Sequence, residues 1–323
     1  MSTWHAWIGG ALAALLVTSE ASAQYPERTI RIIVPYTAGG TVDILARALG
    51  ERMTAAWKQP VVIENRPGAG GSIGAEAAAR AAPDGYTLFM STNAPLTINP
   101  WVQKGVNYEA ARDFAPITIA GENSVILVTH PSVPATSIKD LIAYVKSKKP
   151  GELSAGTSGQ GTTAHLSLAQ FNKRAGVSVT HVPYRGGVPS LTAALANEVP
   201  MTFSDIVPAM PLVRSGKLRG LATTGPRRAG IAPDIPTMSE SGLQGFNIVA
   251  WVPLVAPAGT PKDILAKIYE LVARTLKEES FRKRIVGMGI DPVGMPPAEF
   301  SDFLRKEIAR WKVIVEEAGI QPH

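Results

Sequence analysis

Cysteine is missing from all 323 residues, which removes disulfides, thiolate nucleophiles and cysteine-held metals from the possible chemistry. Histidine is scarce. His5, His130, His165, His181 and His323 stand apart, with none of the H-x-x-x-H or His–carboxylate spacings of a metal centre. Beyond Gln24 no apolar run approaches the roughly 20 residues that span a bilayer. The formal charge is +6, yet Lys and Arg are scattered and form no basic tracts, which argues against nucleic acid. Carboxylates are absent from one long interval: between Glu152 and Glu198 there is no Asp or Glu, while Lys173, Arg174 and Arg185 all occur.

What is present begins with an export signature. The apolar run IGGALAALLV at residues 8–17 precedes Ala21-Ser22-Ala23, a small-x-small site for cleavage before Gln24. Residues 1–23 are expected to be a signal peptide and the mature chain a soluble periplasmic protein. The n-region departs from pattern, holding His5 but no Lys or Arg. The remaining chain of about 300 residues is long for one core and suggests two domains.

A βα rhythm runs along the chain. Residues 28–34 (RTIRIIV), 61–64 and 86–90 read as strands, separated by helices over 41–57 and 72–81. That alternation is the signature of a parallel sheet. The rhythm restarts with a strand at 125–128, a helix at 137–147 capped by Ser137, and a strand at 153–155. A helix at 162–174, a strand at 177–182, a helix at 189–196 and strands at 201–203 and 217–222 follow. A strand at 248–255 leads to a helix ending near residue 277, with Thr260 as its cap and Pro261 at its first position. Helices at 280–287 and 297–318 close the chain. The economical architecture is α/β with two lobes, the C-terminal part returning to complete the first.

Parallel sheets place ligands beyond the carboxyl ends of their strands, where loops meet helix N-termini. Two loops have suitable composition, Pro35-Tyr36-Thr37-Ala38-Gly39-Gly40-Thr41 and Thr157-Ser158-Gly159-Gln160-Gly161-Thr162-Thr163. Glycine lets backbone approach a ligand closely, and the helix that follows offers free N–H groups and a positive dipole end. The second loop lies in the acid-free interval, which suits an anion. Plain tight turns are the alternative reading of both loops.

Enzymatic readings fail on detail. Gly159-Gln160-Gly161-Thr162-Thr163-Ala164 fits G-x-G-x-x-A, but the acidic ribose partner expected about 20 residues on would fall in the acid-free interval. Gly156-Thr157-Ser158-Gly159-Gln160 departs from a nucleophile elbow at its last position. Ser158 with His165 would make a poor triad. Asp43 and Asp205 follow strands, but no acid/base partner can be assigned to either, and Asp43 could simply stabilise its helix N-terminus. No catalytic residue, metal or cofactor is expected.

The run Ile33-Val34-Pro35-Tyr36-Thr37-Ala38-Gly39-Gly40-Thr41-Val42-Asp43-Ile44-Leu45-Ala46-Arg47 resembles the opening motif of the Bug/TctC family, the binding receptors of tripartite tricarboxylate transporters. The resemblance continues through Glu64-Asn65-Arg66-Pro67-Gly68-Ala69-Gly70-Gly71, Pro83-Asp84-Gly85-Tyr86-Thr87-Leu88, Val182-Pro183-Tyr184-Arg185-Gly186 and Ala256-Pro257-Ala258-Gly259-Thr260-Pro261, covering essentially the whole mature chain. It implies a two-lobe periplasmic binding protein type II fold, each lobe a mostly parallel sheet flanked by helices. On this chain the expected division is 24–121 with 248–323 as lobe 1 and 122–247 as lobe 2. It implies a site of Tyr36, Ala38, Gly39, Gly40, Thr41, Asp43, Ser91, Thr92 and Asn93 in the first lobe. The second would add Ser158, Gly159, Gly161, Thr162, Thr163, His165, Tyr184, Arg185, Gly186 and Asp205. Asp43 would accept a hydrogen bond from the ligand or a bound water. The implied ligand is a dicarboxylate, tricarboxylate or aromatic acid, and the implied partners are the membrane permease subunits, served by a monomer. A periplasmic sensor, or a secreted hydrolase, is the alternative.

Overall fold

The computed structural model of the chain describes residues 25–317, so the expected signal peptide lies outside the described residues. Strands β1 (Ile30–Val34), β2 (Val61–Asn65), β3 (Thr87–Met90), β4 (Phe114–Thr129), β5 (Ser154–Thr157), β6 (Thr180–Pro183), β7 (Met201–Asp205), β8 (Arg219–Thr223), β9 (Val249–Pro257) and β10 (Asp291–Pro292) join in one hydrogen-bonded path. Its order is β2-β1-β3-β9-β4-β7-β5-β6, with β8 and β10 also on β4. The outer strands run parallel in two groups, β2-β1-β3 and β7-β5-β6. Between them β4 and β9 are antiparallel to their neighbours.

β4 is the element that divides the molecule. As far as Ser124 it pairs with β9; from Val125 it pairs with β7 and β8. The chain returns between Thr224, whose hydroxyl donates to Ile248 O at 2.7 Å, and Val249. Two α/β lobes therefore hang on two crossing segments. Sequence periodicity marked only residues 125–128 of this strand. Its first half contains Pro116 and Gly121, which locally disguise a strand that tertiary pairing makes continuous, with register shifts on either side of Thr118 and Ile119.

The helices are α1 (Thr41–Trp57), α2 (Ser72–Ala79), α3 (Ala94–Thr97), α4 (Asn99–Val102), α5 (Ala110–Asp113), α6 (Ile138–Lys146), α7 (Thr163–Ala175), α8 (Gly187–Leu195), α9 (Ile206–Arg214), α10 (Lys262–Lys277), α11 (Glu279–Gly287) and α12 (Pro297–Glu317). α1 forms because Val42, Leu45, Ala46, Leu49 and Met53 fall on one stripe and are buried there. It stops at Lys58, whose left-handed backbone (φ 58°) returns its N–H to Thr54 O. Ser137 caps α6 as its sequence suggests, accepting from Asp140 N–H at 3.1 Å. Thr260 does not cap α10. Its hydroxyl donates to Pro257 O instead, and Pro261 occupies the N-cap position. Helix α9 went unread, because Pro208 and Pro211 break its pattern.

Two crossings of apolar side chains hold α12 in place. Trp251 on β9 packs edge-on against Phe300 and Phe303, at 5.9 and 5.4 Å between ring centres. Further along, buried Trp311 donates its indole N–H to Glu307. Trp311 and Val315 share a buried cluster with Ile98 and Phe171, which carries α12 from the first sheet toward the second lobe. Among the described residues no helix is long and apolar enough to cross a membrane.

Candidate functional site

The carboxyl ends of β1, β3, β5, β6 and β7 converge where the lobes meet. There a narrow crevice of about 10 Å³ is lined by Tyr36, Thr37, Gly40, Thr41, Val42, Thr92, Ser158, Thr162, Thr163, Gly187 and Asp205. By volume it has room for about one water, so a larger guest requires the lobes to separate. Among the described residues its walls contain no Lys, Arg or His. They carry instead the N-termini of four helices, α1, α7, α8 and α9. Gly40, Gly186 and Asp205, the N-caps of three of these, make no side-chain capping bond. First-turn N–H groups without such caps are what an anion seeks.

An adjoining opening of about 190 Å³ is lined by Pro35, Tyr36, Gly68, Ala69, Gly70, Gly71, Ser158, Gly159, Gln160, Pro183, Tyr184 and Arg185. Tyr184 and Arg185 therefore stand at the mouth, not at the crevice floor. The glycine loop 68–71 also belongs to this mouth. It was visible in the sequence as a Gly-rich connection, but nothing local told it apart from a turn.

The first loop is shaped from within. Gly39 has φ +84°, a conformation that glycine adopts freely. Asp43 is 2% exposed, and its carboxylate is fully engaged. Oδ2 accepts from Gly39 N–H at 2.9 Å and Arg47 Nε at 3.0 Å. Oδ1 accepts from Arg47 Nη2 at 2.9 Å and Asn65 Nδ2 at 3.0 Å. Burial works against its charge, but these donors outweigh it and hold the carboxyl below its usual range. Asp43, expected to accept from a ligand or a bound water, here accepts from the protein and is not among the residues lining the crevice. Asp43 braces the loop. Ala38 and Gly39 are exposed, and a Cβ on Gly39 would stand 3.7 Å from Val188 of the opposing lobe.

The second loop is organised around α7. Thr162 caps it, accepting from His165 N–H at 3.3 Å and donating to Gly159 O at 2.7 Å. His165 Nδ1 accepts the Gly161 N–H at 3.2 Å, and its ring stacks on His181 at 4.0 Å. His181 Nε2 meets Thr157 Oγ1 at 2.7 Å. The hydroxyl of Ser158 donates to Thr162 Oγ1 at 3.4 Å. His165 and Gly161 thus support the loop from behind the crevice wall. Ser91, wholly buried, donates to Thr92 O.

Three contacts bring the lobes together around the crevice. Thr163 Oγ1 donates to Asn93 Oδ1 at 3.0 Å. Gln103 Nε2 reaches Ala69 O at 2.9 Å and, across the gap, Gln160 O at 3.4 Å. Gly186 comes so close to Thr37 that a Cβ there would stand 2.6 Å from its hydroxyl. Asp205 is half-buried in the wall, and loss of water pushes its carboxyl up to about 6, with the Asn123 side chain opposing the rise.

A larger cavity of about 510 Å³ lies beside the crossing segments, walled by Glu122, Ser124, Arg227, Trp251, Asp291 and Phe303 among others. Two of its cations, Arg228 and Arg310, are already paired with Glu240 and Glu307. Among the described residues no helix N-terminus opens into it, so it lacks the donor chemistry of the crevice.

A crevice of helix starts between two lobes strung on paired crossing strands defines a solute-binding receptor. The chain belongs to the TctC family, the tripartite tricarboxylate transporter family receptors, whose profile matches residues 45–320. It is 34% identical over 321 residues to Protein BugT of Bordetella pertussis, covering 99% of this chain and 98% of that one. R. palustris Rpa4515 with adipate superposes with a TM-score of 0.90 at 34% identity, covering 93% of this chain and all of that one. MatC from Rhodopseudomonas palustris with bound malate gives 0.84 at 32%, covering 90% of this chain and all of that one. These relatives are binding receptors, and the family is periplasmic, not enzymatic.

Proposed function

We propose that the chain, exported on a signal peptide formed by residues 1–23, captures a small carboxylate between its lobes in the periplasm. It then delivers the ligand to the permease subunits of a tripartite tricarboxylate transporter, acting as a monomer. The observation that carries this reading is the convergence of four helix N-termini, three without side-chain caps, on a crevice with no basic side chain. Hydrogen bonds to a charged group contribute about 1.5–3 kcal/mol each. Four or five of them bring micromolar affinity, about −8 kcal/mol, within reach without an arginine.

The ligand contacts in this reading are Tyr36, Gly40, Thr41, Thr92, Ser158, Thr162, Thr163 and Asp205, with Gly187 and Thr37 added by the fold. Tyr184, Arg185 and Gly159 attend the mouth. The relatives bound to adipate and malate support a dicarboxylic acid as the starting class. Capture works by population shift, because only the closed state brings the amides of both lobes onto one anion.

A thermal-shift panel of dicarboxylates, tricarboxylates and aromatic acids, followed by calorimetry, tests this. A native-state binder raises Tm in proportion to the logarithm of ligand concentration. A best ligand carrying no acidic group would overturn the reading.

A further inference from the structure

The crevice has an unusual balance of charge for an anion site. Asp205 is the one formally charged residue in its lining, and its charge has the sign of the ligand. No basic side chain lines the crevice to offset both.

The surroundings of Asp205 are equally specific. It sits at the N-cap of α9 without capping it, so its carboxylate is not held to its own helix. On α8, its Oδ2 lies 3.3 Å from where a Cβ of Gly187 would stand, and glycine alone leaves that approach open. From β4, the Asn123 amide faces it; Asn123 Oδ1 is buried and has no donor among the described residues. From the loop after β1 comes Tyr36, whose hydroxyl is bonded to Thr92 at 2.6 Å and whose own ionisation is opposed by burial. Glu122, next along β4, feels Asp291 and Arg227 instead. On α9 the next residues, Ile206 and Val207, are apolar and buried. The nearest cation of the ligand loops, Arg185, is exposed at the mouth.

We propose that Asp205 is a proton-carrying ligand contact: in the closed crevice it is the neutral acid, and its O–H donates to the captured carboxylate. This rests on the carboxylate reading above. The balance is simple. The open receptor with ionised Asp205, one proton from solution and an ionised ligand together give the closed complex with neutral Asp205. With the lobes together, loss of water already makes this carboxyl reluctant to ionise, and the captured anion adds like-charge repulsion. Protonation relieves both and adds an O–H donor beside the main-chain N–H groups of the helix starts. Capture therefore becomes tighter as the medium becomes more acidic, and Asp205 discriminates for ligands that can share a proton.

The test is calorimetry of the mature chain with adipate, malate and the other straight-chain dicarboxylates. It is run at pH 7.5 in two buffers of different ionisation enthalpy, and then from pH 6 to 9. The expected result is uptake close to one proton per ligand bound, with affinity falling toward tenfold per pH unit above neutrality. Asp205→Asn, which keeps a donor but cannot titrate, should bind without proton uptake and with affinity flat in pH. The wild-type series decides the matter alone if that variant does not fold. Binding without proton uptake, or uptake that persists in Asp205→Asn, overturns this inference and leaves the carboxylate reading standing. If no dicarboxylate, tricarboxylate or aromatic acid binds at any pH, the carboxylate reading falls, and this inference with it.

Discussion

Thr163 and Asn93 join the two lobes through a buried hydrogen bond, Oγ1 to Oδ1 at 3.0 Å, although 70 residues separate them. Thr163 opens helix α7 and Asn93 ends the loop after β3, so the bond exists only when the lobes are together. The Asn93 Nδ2 is itself buried without an acceptor among the described residues. Thr163→Val keeps the shape and removes the donor. A net hydrogen bond of about 1 kcal/mol predicts about a five- to tenfold loss of ligand affinity with little change in Tm of the unliganded protein. Calorimetry and small-angle scattering, which reports the open fraction, check it.

Closure also depends on Gly70. A Cβ there would lie 2.0 Å from Gln160 O on the opposing lobe. That is backbone, which cannot swing aside. Gly70→Ala is expected to weaken binding by more than a hundredfold while the circular dichroism spectrum stays native, because its severest clash lies between lobes; the left-handed φ of +57° and Gln103 Nε2 at 3.0 Å add strain within the first lobe and lower Tm as well. Gly287→Ala, at the end of α11 and outside the crevice, is the matched control. Its Cβ would find nothing within 4 Å. Binding within about threefold of the parent is expected there.

Asp43→Ala removes four hydrogen bonds from one buried carboxylate and frees Arg47, Asn65 and the Gly39 N–H. With bonds to charged groups at about 1.5–3 kcal/mol each, and exposed Arg47 discounted for solvent, a loss of about 2–4 kcal/mol of stability is expected. The folded carboxyl titrates below its unfolded value, so this stability is present above the unfolded pKa. It fades as pH falls through the folded one. Wild type and Asp43→Asn should therefore differ most near neutrality and converge in acid, as read from denaturant midpoints along a pH series.

Asp205 has the opposite sign. Burial pushes its carboxyl up to about 6 in the fold, from an ordinary 3.8, so its contribution is greatest below pH 4 and declines as pH rises through 6. Asp205→Asn is expected to stabilise the unliganded protein by about 1–2 kcal/mol at pH 8, with solvent contact discounted, and to leave it nearly unchanged at pH 4. Thermal melts at the two values check the prediction. An equal gain at both would mean that the site does not titrate in this range.

Much of this protein is written locally. The stripe of α1, the Ser137 cap of α6, the glycines of both ligand loops and the βα alternation each depend on residues a few positions apart, and each could be read from order alone. The opening motif and the glycine-rich turns identified the family for the same reason: backbone that must adopt φ > 0 or approach a ligand leaves few choices of side chain.

Other features depend on partners far along the chain, and there order alone was silent. The continuity of β4 through Pro116 and Gly121 comes from pairing with β9 more than 100 residues later. Asp43 looked like a ligand acceptor until Arg47, Asn65 and Gly39 were seen to surround it. Thr37, Gly187 and the Gly68–Gly71 turn joined the crevice and its mouth only because the lobes fold together. By itself, the sequence determined the local conformations, the receptor family and the loops where helices begin. The tertiary structure decided which side chains those loops turn toward the solute, because a hydrogen bond or a cavity is made by atoms that meet in space, whatever their separation along the chain.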